Sequence, residues 1–276
     1  MDPVAAFLDR QPALVIDGAL ATELERRGCN LKDELWSAKI LVEQPEKIRQ
    51  VHLDYFRAGA DCAITASYQA TIPGFMKRGL SEAEAHGLIR QSVQLARSAR
   101  DAFWRDPANR TGRLKPLVAG SVGPYGAYLA NGAEYVGNYG LGESELIDFH
   151  RPRVQTLVDA GVDLLACETI PSFVEAQALA SQLREFPGTF AWFSFSARDD
   201  RHISEGRPLT DCAGLADEHA QAVAVGINCT SPRFVASLIR EARGRTAKPL
   251  LAYPNLGERY DAATNEWSGA PVTRSF

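Results

Sequence analysis

The sequence lacks the features that would indicate a membrane protein, a secreted disulfide-rich protein or a nucleic-acid-binding protein. No apolar run approaches the roughly 20 residues that span a bilayer. The N-terminal segment MDPVAAFLDRQPALVIDG has no basic region of a signal peptide. The cysteines, at positions 29, 62, 167, 212 and 229, form no CxxC pair, which favours reduced thiols in the cytoplasm. A net charge of -4 gives no reason to expect nucleic acid or an anionic membrane as a partner.

What the sequence does contain is a series of short apolar runs, each followed by a turn and a helical pattern. Most runs are continuously apolar rather than alternating, as expected for parallel strands buried on both faces. Successive units of this kind form either a doubly wound sheet or a closed barrel. The predicted strands are ALVIDG (13–18), CAITAS (62–67), PLVAGSVG (116–123), DLLACET (163–169), AWFSFSA (191–197), AVGIN (224–228) and PLLAYPN (249–255).

Two helices carry clear boundary signals. One has Pro45 near its start and Gly59 at its end. The other opens with Ser81 and has Glu84 three residues later, which predicts a capping box. These signals support the alternation of strands with helices.

The residues that follow the strands decide between the two architectures. A dinucleotide-binding sheet would carry GxGxxG after its first strand, and VIDGALATEL lacks it. Polar residues follow nearly every strand instead, at the place where barrel enzymes build their sites. The pattern therefore predicts an α/β (β/α)8 TIM barrel. These strand-end residues are Asp17, Ser67, Ser121, Glu168, Asn228, Cys229 and Asn255.

A closed barrel needs eight strands, and seven are predicted. The sequence after residue 255 shows no further apolar run or helix, whereas an eighth unit would need on the order of 35 more residues. The expectation is a single barrel domain over residues 1–276 that is incomplete at its C-terminal end, with the eighth β/α unit missing. An open barrel with an exposed edge strand is the alternative.

Three strand-end side chains are candidates for chemistry. Cys229 could be a small buried residue, but its place between Asn228 and Thr230 favours function; one cysteine alone does not make a zinc site. Glu168 and Asp17 follow apolar runs, where an unpaired carboxylate is costly. A salt bridge for either, or a helix cap by Asp17, remains possible. Together they could bind an amino group or act as an acid/base pair.

A segment rich in glycine and tyrosine, residues 120–140, follows the third predicted strand. Tyr125, Tyr128, Tyr135 and Tyr139 could form an aromatic surface over a cation. A surface loop with tyrosines packed on the barrel rim is the alternative.

Long stretches of the chain resemble the homocysteine S-methyltransferase family. They include DGALATELERRGCNLKDELWSAKI, HLDYFRAGADCAITASYQAT, SVGPYGAYLANGAEYVGNY, VDAGVDLLACETIP, GINC and YPNLGERYDAATNEW. The resemblance covers almost the whole chain. Within the family, the SVGPYGAYLANGAEY segment is similar to the branch that uses S-methylmethionine.

The resemblance implies methyl transfer from S-methylmethionine, with S-adenosylmethionine as an alternative donor, to the zinc-activated thiol of homocysteine, giving methionine. It implies that Cys229 is one of three zinc cysteines and that the other two lie in a GGCC motif, which these 276 residues lack. It further implies that Asp17 and Glu168 hold the homocysteine amino group, that Ser67 lies near the substrate, and that Asn228 belongs to the site. The full-length protein is expected to be active and the 276 residues alone inactive.

Two alternatives to this enzyme remain open. The first is a zinc-free, catalytically silent barrel that binds an amino acid. The second is a hydrolase or lyase that uses Glu168 and Asp17 as acid and base. In each case the expected partners are small molecules, which in the favoured case are homocysteine and S-methylmethionine, with neither nucleic acid nor membrane.

Overall fold

The computed structural model describes residues 2–31, 37–256, 259–261 and 266–268. Six strands form one sheet in chain order, and the pairs β1–β2, β4–β5 and β5–β6 are parallel. This order, with helices between the strands, is that of successive β/α units. The strands predicted from residue 62 onward are confirmed. The strands are β1 Cys62–Ile64, β2 Leu117–Val122, β3 Leu164–Ile170, β4 Ala191–Phe195, β5 Ala222–Asn228 and β6 Leu250–Tyr253.

The first predicted strand, residues 13–18, forms a single parallel bridge between Ile16 and Cys62 instead of a full strand. The Val15 carbonyl accepts from the backbone of Asp61 and Cys62, and the Asp17 N–H donates to the Cys62 carbonyl at 2.8 Å. Val15 is 53% exposed, so this run is not buried on both faces as the continuous apolar pattern suggested. The segment nevertheless runs beside β1.

Beyond β6, the structure has an antiparallel pair that the sequence did not indicate, formed by β7 Arg259–Asp261 and β8 Glu266–Ser268. Both strands are short and polar, so no apolar pattern marks them. The α/β sheet is established, but a closed eight-unit barrel is not shown. The predicted missing eighth unit concerns sequence outside the described ranges and stays a prediction.

The predicted helix boundaries are confirmed where the signals were clear. Helix α4 spans Pro45–Ala58, and Gly59 follows it with φ +115°, a conformation that favours glycine. Ser81 and Glu84 form the capping box at the start of α6, which spans Glu82–Arg105. The other described α-helices are α1 Pro3–Leu8, α2 Leu20–Arg26, α3 Ser37–Glu43, α5 Ile72–Met76, α7 Tyr125–Leu129, α8 Glu143–Asp159, α9 Phe173–Leu183, α10 Leu209–Glu218 and α11 Pro232–Arg243.

The chain divides into two compact units. The first comprises Met1–Val122 and Pro152–Ala166, and its core includes Phe56 of α4 stacked on Phe103 of α6 at 6.0 Å. The second comprises Gly123–Arg151 and Cys167–Phe276, with β4 and β5 buried along their whole lengths. Among the described helices, none is long and apolar enough to cross a membrane.

Candidate functional site

In the second unit, the Asn228 side chain joins the ends of β3 and β5. Its Oδ1 accepts from the Thr169 N–H at 2.7 Å, and its Nδ2 donates to the Thr169 hydroxyl at 2.7 Å. Both residues are buried. Because each unmet hydrogen bond in the interior is costly, this pairing fixes the two strand ends against each other. Both the oxygen and the nitrogen of the Asn228 side-chain amide, a predicted site residue, are therefore held by Thr169.

Cys229 follows Asn228 with its backbone in the left-handed region. Its φ is +47°, and Thr169 has φ +59°. This conformation costs a non-glycine residue on the order of 1–2 kcal/mol, and such strain often accompanies a functional constraint. The Cys229 Sγ lies 3.4 Å from Asn228 Nδ2 and 3.8 Å from Thr169 Oγ1. Two donors from β3 and β5 thus converge on this thiol.

The surroundings of Cys229 favour its neutral form. Burial, and then the negative charge of Glu168, raise the pKa of the Cys229 thiol to about 11, although the hydrogen bonds from Thr169 and Asn228 lower it in part. A thiolate, not a thiol, is the nucleophile or metal ligand. Cys229 therefore needs a nearby positive charge to act as either near neutral pH.

Glu168, the third residue from the C-terminal end of β3, accepts a hydrogen bond from a tyrosine. The Tyr253 hydroxyl donates to Glu168 Oε2 at 3.1 Å, and the Ser194 hydroxyl lies 2.6 Å from the same Tyr253 oxygen. Burial and the charge of Glu168 raise the pKa of Tyr253 well above its usual value, so its hydroxyl stays protonated. The sequence did not mark Tyr253, Ser194 or Thr169 as residues of the site.

In the first unit, Asp17 is a buried carboxylate beside a buried histidine. Its side chain is only 4% exposed, its Oδ2 accepts from the Ile64 N–H at 3.0 Å, and His52 Nδ1 lies 3.8 Å from the same oxygen. Burial raises the pKa of Asp17, while His52 opposes part of that rise. The capping alternative is wrong, because Ala19 is the N-cap of α2 and no side chain caps it.

Ser67, also in the first unit, links the ends of β1 and β2. Its hydroxyl donates to the Ser121 carbonyl at 2.8 Å and lies 2.7 Å from the Thr65 hydroxyl. The strand-end position is as expected, but these contacts are within the protein. A contact of Ser67 with substrate remains a prediction.

The segment after β2, residues 123–140, is more structured than a loop. It contains α7 and a 3-10 turn at Ala133–Tyr135. The Tyr125 ring packs on Tyr128, Tyr139 and Phe149, with centroid distances of 5.5, 5.4 and 4.8 Å respectively. These rings therefore pack largely against one another, and the predicted binding of a cation by the tyrosines stays a prediction.

Comparison with known proteins identifies the family. A family model described as homocysteine S-methyltransferase matches residues 14–273. The chain belongs to this family. It is 59% identical to Homocysteine S-methyltransferase YbgG of Bacillus subtilis (strain 168) over 276 residues, which cover 100% of this chain and 88% of that protein. It is 56% identical to Homocysteine S-methyltransferase of Escherichia coli (strain K12), across 96% of this chain and 85% of the relative.

A solved member of the homocysteine S-methyltransferase family has the same fold. The crystal structure of MmuM from Escherichia coli, in a form described as metallated, superposes with a TM-score of 0.89 at 55% identity. The match covers 93% of this chain and 88% of that one. The predicted family is therefore confirmed, whereas the roles of the individual site residues remain predictions.

The described residues do not by themselves fit a zinc ion. A catalytic zinc takes three protein ligands. Across the described ranges, no group of three His, Cys, Asp or Glu side chains could hold a metal. Cys229 supplies one thiol of the kind zinc binds, and among the charges that affect this thiol the negative charge of Glu168 has the largest effect. No reaction step is therefore assigned to a metal, and zinc remains an expectation from the family resemblance.

Proposed function

We propose that this protein transfers a methyl group from S-methylmethionine to the thiol of homocysteine, giving methionine. The observation that carries the proposal is the family match across residues 14–273, supported by 59% identity to a homocysteine S-methyltransferase over the whole chain. In the second unit Asn228 donates to the Cys229 thiol, and Tyr253 donates to Glu168 near the end of β3. Polar side chains at these strand ends suit a small amino-acid substrate. The free thiols are consistent with a proposed cytoplasmic location.

Homocysteine carries an ammonium group, which the buried carboxylates can bind. Glu168 is 7% exposed and Asp17 has its side chain 4% exposed. An ionised carboxylate withdrawn from water is stabilised by a cation that replaces its hydration. In our proposal Glu168, which Tyr253 orients, holds the amino group. The family resemblance implies the same role for Asp17, which the Ile64 N–H orients.

The transfer balances as a single displacement. The homocysteine sulfur forms a bond to the methyl carbon while the carbon–sulfur bond of the donor breaks, and the electron pair of that bond stays on the donor sulfur. The thiol proton leaves to solvent, and two methionine molecules result. Homocysteine's thiol has a pKa near about 8.5, so the thiolate is a minor form at neutral pH. The chain's part is to hold the acceptor and donor sulfurs in line with the methyl carbon in a water-poor pocket.

Activity of Cys229→Ala tests this proposal. Protein expressed from the complete gene and supplied with zinc, homocysteine and S-methylmethionine should form methionine, and Cys229→Ala should abolish it. Cys212→Ala, a change at a buried cysteine of α10, is the matched control and should retain activity. Full activity of Cys229→Ala would overturn the assignment. Homocysteine binding without turnover would favour the silent amino-acid-binding barrel instead.

A further inference from the structure

Glu134 is a buried carboxylate that the proposed reaction has not used. It lies in the 3-10 turn Ala133–Tyr135 of the second unit, and the residue is 9% exposed. Its Oε2 is buried and has no hydrogen-bond partner among the described residues. An ionised oxygen in that state lacks both water and a hydrogen-bond donor, which is unfavourable unless a cation takes their place.

The backbone of Glu134 is held firmly at the end of β4. The hydroxyl of Ser196, the residue after β4, donates to the Glu134 carbonyl at 3.0 Å, and Ser204 lies 2.8 Å from that same hydroxyl. On the other side the turn packs against α7, where a Cβ on Gly126 would lie 2.5 Å from the Glu134 nitrogen. Only glycine permits this approach. The burial of Glu134 is therefore built into the fold of the segment.

Glu134 lies within electrostatic reach of the candidate site. Burial is the main reason for the raised pKa of Cys229, followed by Glu168, and the charge of Glu134 adds a smaller share. Glu134 also contributes to the raised pKa of Tyr139, after burial and Glu175. Burial raises the pKa of Glu134 itself, and a hydrogen bond from its own backbone lowers it in part. The hydrogen bonds give its position: Ser196, which binds the Glu134 carbonyl, precedes Ala197, whose N–H donates to the Thr230 hydroxyl at 3.0 Å, and Thr230 follows Cys229. Glu134 therefore lies at the same end of the second unit as the Cys229 thiol.

We infer that Glu134 binds the positively charged sulfonium of the methyl donor. This inference rests on the proposed function and extends it to donor recognition. A sulfonium carries no N–H or O–H, so it suits a carboxylate oxygen that lacks a conventional donor. The tyrosine rings of α7 and Tyr139 supply the adjacent apolar and aromatic surroundings. The same chemistry would accept any sulfonium amino acid, including S-adenosylmethionine.

The charge of Glu134 also discriminates between the cationic methyl donor and the neutral methionine that the donor becomes. The donor sulfur is cationic before transfer and neutral afterwards, so Glu134 attracts the donor but not the methionine that remains. Because the positive charge fades in the transition state, this attraction favours the bound donor over the transition state. Glu134 therefore acts on donor affinity and on product release rather than on the chemical step.

Calorimetric titration of the full chain with S-methylmethionine and with methionine tests the inference. These ligands share the amino-acid group and differ at the sulfur. Wild-type protein should bind S-methylmethionine about tenfold more tightly, as expected for one charge interaction in a buried site, and Glu134→Gln should remove that preference without changing methionine affinity. Glu218→Gln, at an exposed carboxylate of α10 in the same unit, is the matched control and should keep the preference.

The outcomes are distinguishable from failure of the proposed function. Retention of the sulfonium preference in Glu134→Gln would overturn the inference while leaving the function intact, and so would equal weakening of both ligands, which would place Glu134 on the amino group. Failure of wild-type protein to bind S-methylmethionine would overturn the donor assignment itself. Thermal unfolding checks the fold, because Glu134→Gln removes an unpartnered charge and should unfold at an equal or higher temperature. In turnover, the variant should raise the KM for S-methylmethionine about tenfold with kcat unchanged or higher.

Discussion

Asn228 Nδ2 lies 3.4 Å from the Sγ of Cys229 and donates to it, while the same amide group binds Thr169 of β3. One side chain thus joins two strand ends and directs a polarised N–H at the thiol. The arrangement explains why an asparagine precedes the cysteine: an aspartate would supply no N–H, and a shorter side chain would not reach β3.

Replacing Asn228 by alanine should lower the stability of the protein. The buried Thr169 N–H would lose its acceptor and the Thr169 hydroxyl would lose its donor, which costs roughly 1–3 kcal/mol of the free energy of unfolding. Urea denaturation monitored by circular dichroism measures this change. Asn131→Ala removes one hydrogen bond at an exposed site and should change the free energy far less. Equal effects of the two substitutions would show that the amide bridge does not stabilise the strand ends.

The reactivity of Cys229 should depend on pH with a midpoint of about 11. Because burial and Glu168 disfavour the thiolate, the thiol stays protonated at neutral pH, and the alkylation rate should rise about tenfold per pH unit below the midpoint. Iodoacetamide labelling of the metal-free protein followed by peptide mass spectrometry measures the rate at this residue. Cys229→Ala identifies the labelled peptide. A midpoint at or below 9 would mean that the thiol is already activated by its surroundings.

The sequence predicted those elements that a local apolar pattern marks, and it did not predict contacts between residues far apart in the chain. Strands β1–β5 were predictable because their continuous apolar runs reflect burial on both faces, and β6 carries the same pattern although its residues are only partly buried or exposed. Ile16 forms only one bridge because its segment is partly exposed, and β7 and β8 were missed because they are short and polar. Tyr253 was missed as a partner of Glu168, since the contact joins residues far apart in sequence and nothing local marks it.

The residues of the candidate site were likewise predictable only where a local sequence pattern marks them. Asn228, Cys229 and Glu168 were found because polar residues interrupt apolar runs at strand ends. His52 was not found, because a histidine within the helical pattern of α4 gives no sign that it faces Asp17. Glu134 lies in a segment interpreted as a loop, and its burial depends on a turn that only the three-dimensional structure shows.

Replacing Asp17 by asparagine should stabilise the protein near neutral pH while weakening homocysteine binding. Burial raises the pKa of Asp17 in the folded state. The contribution of Asp17 to the free energy of unfolding is therefore greatest below its pKa in the unfolded chain, and it is lost as the pH rises through its pKa in the folded state. Asparagine keeps an acceptor for the Ile64 N–H but carries no charge. The free energy of unfolding at pH 7 should therefore be equal or higher, and the Kd for homocysteine should rise at least about tenfold.

Calorimetry with homocysteine and urea denaturation, each at pH 7, test both parts of the Asp17 prediction. Asp148→Asn changes an exposed carboxylate of α8 and should alter neither quantity. Unchanged homocysteine affinity in Asp17→Asn would remove Asp17 from the site, and a large loss of stability would show that its charge is paired in the fold.

Tyr253→Phe should weaken homocysteine binding by about tenfold, because the hydroxyl that orients Glu168 is lost. Ser194→Ala removes the hydrogen bond on the other side of the Tyr253 hydroxyl and should have a smaller effect. Titration of the purified variants with homocysteine gives the ranking. A larger effect of Ser194→Ala, or no effect of Tyr253→Phe, would contradict the proposed orienting role.

The most direct test of the account is to follow the methyl group itself. Protein from the complete gene, loaded with zinc, is incubated with homocysteine and S-methylmethionine carrying carbon-13 in its sulfonium methyl groups, and methionine is analysed by NMR and mass spectrometry. We expect two methionine molecules, each with one labelled methyl group, for every homocysteine consumed, and no methionine from Cys229→Ala. Homocysteine that is bound while every label stays in the donor would contradict methyl transfer as the function of this protein.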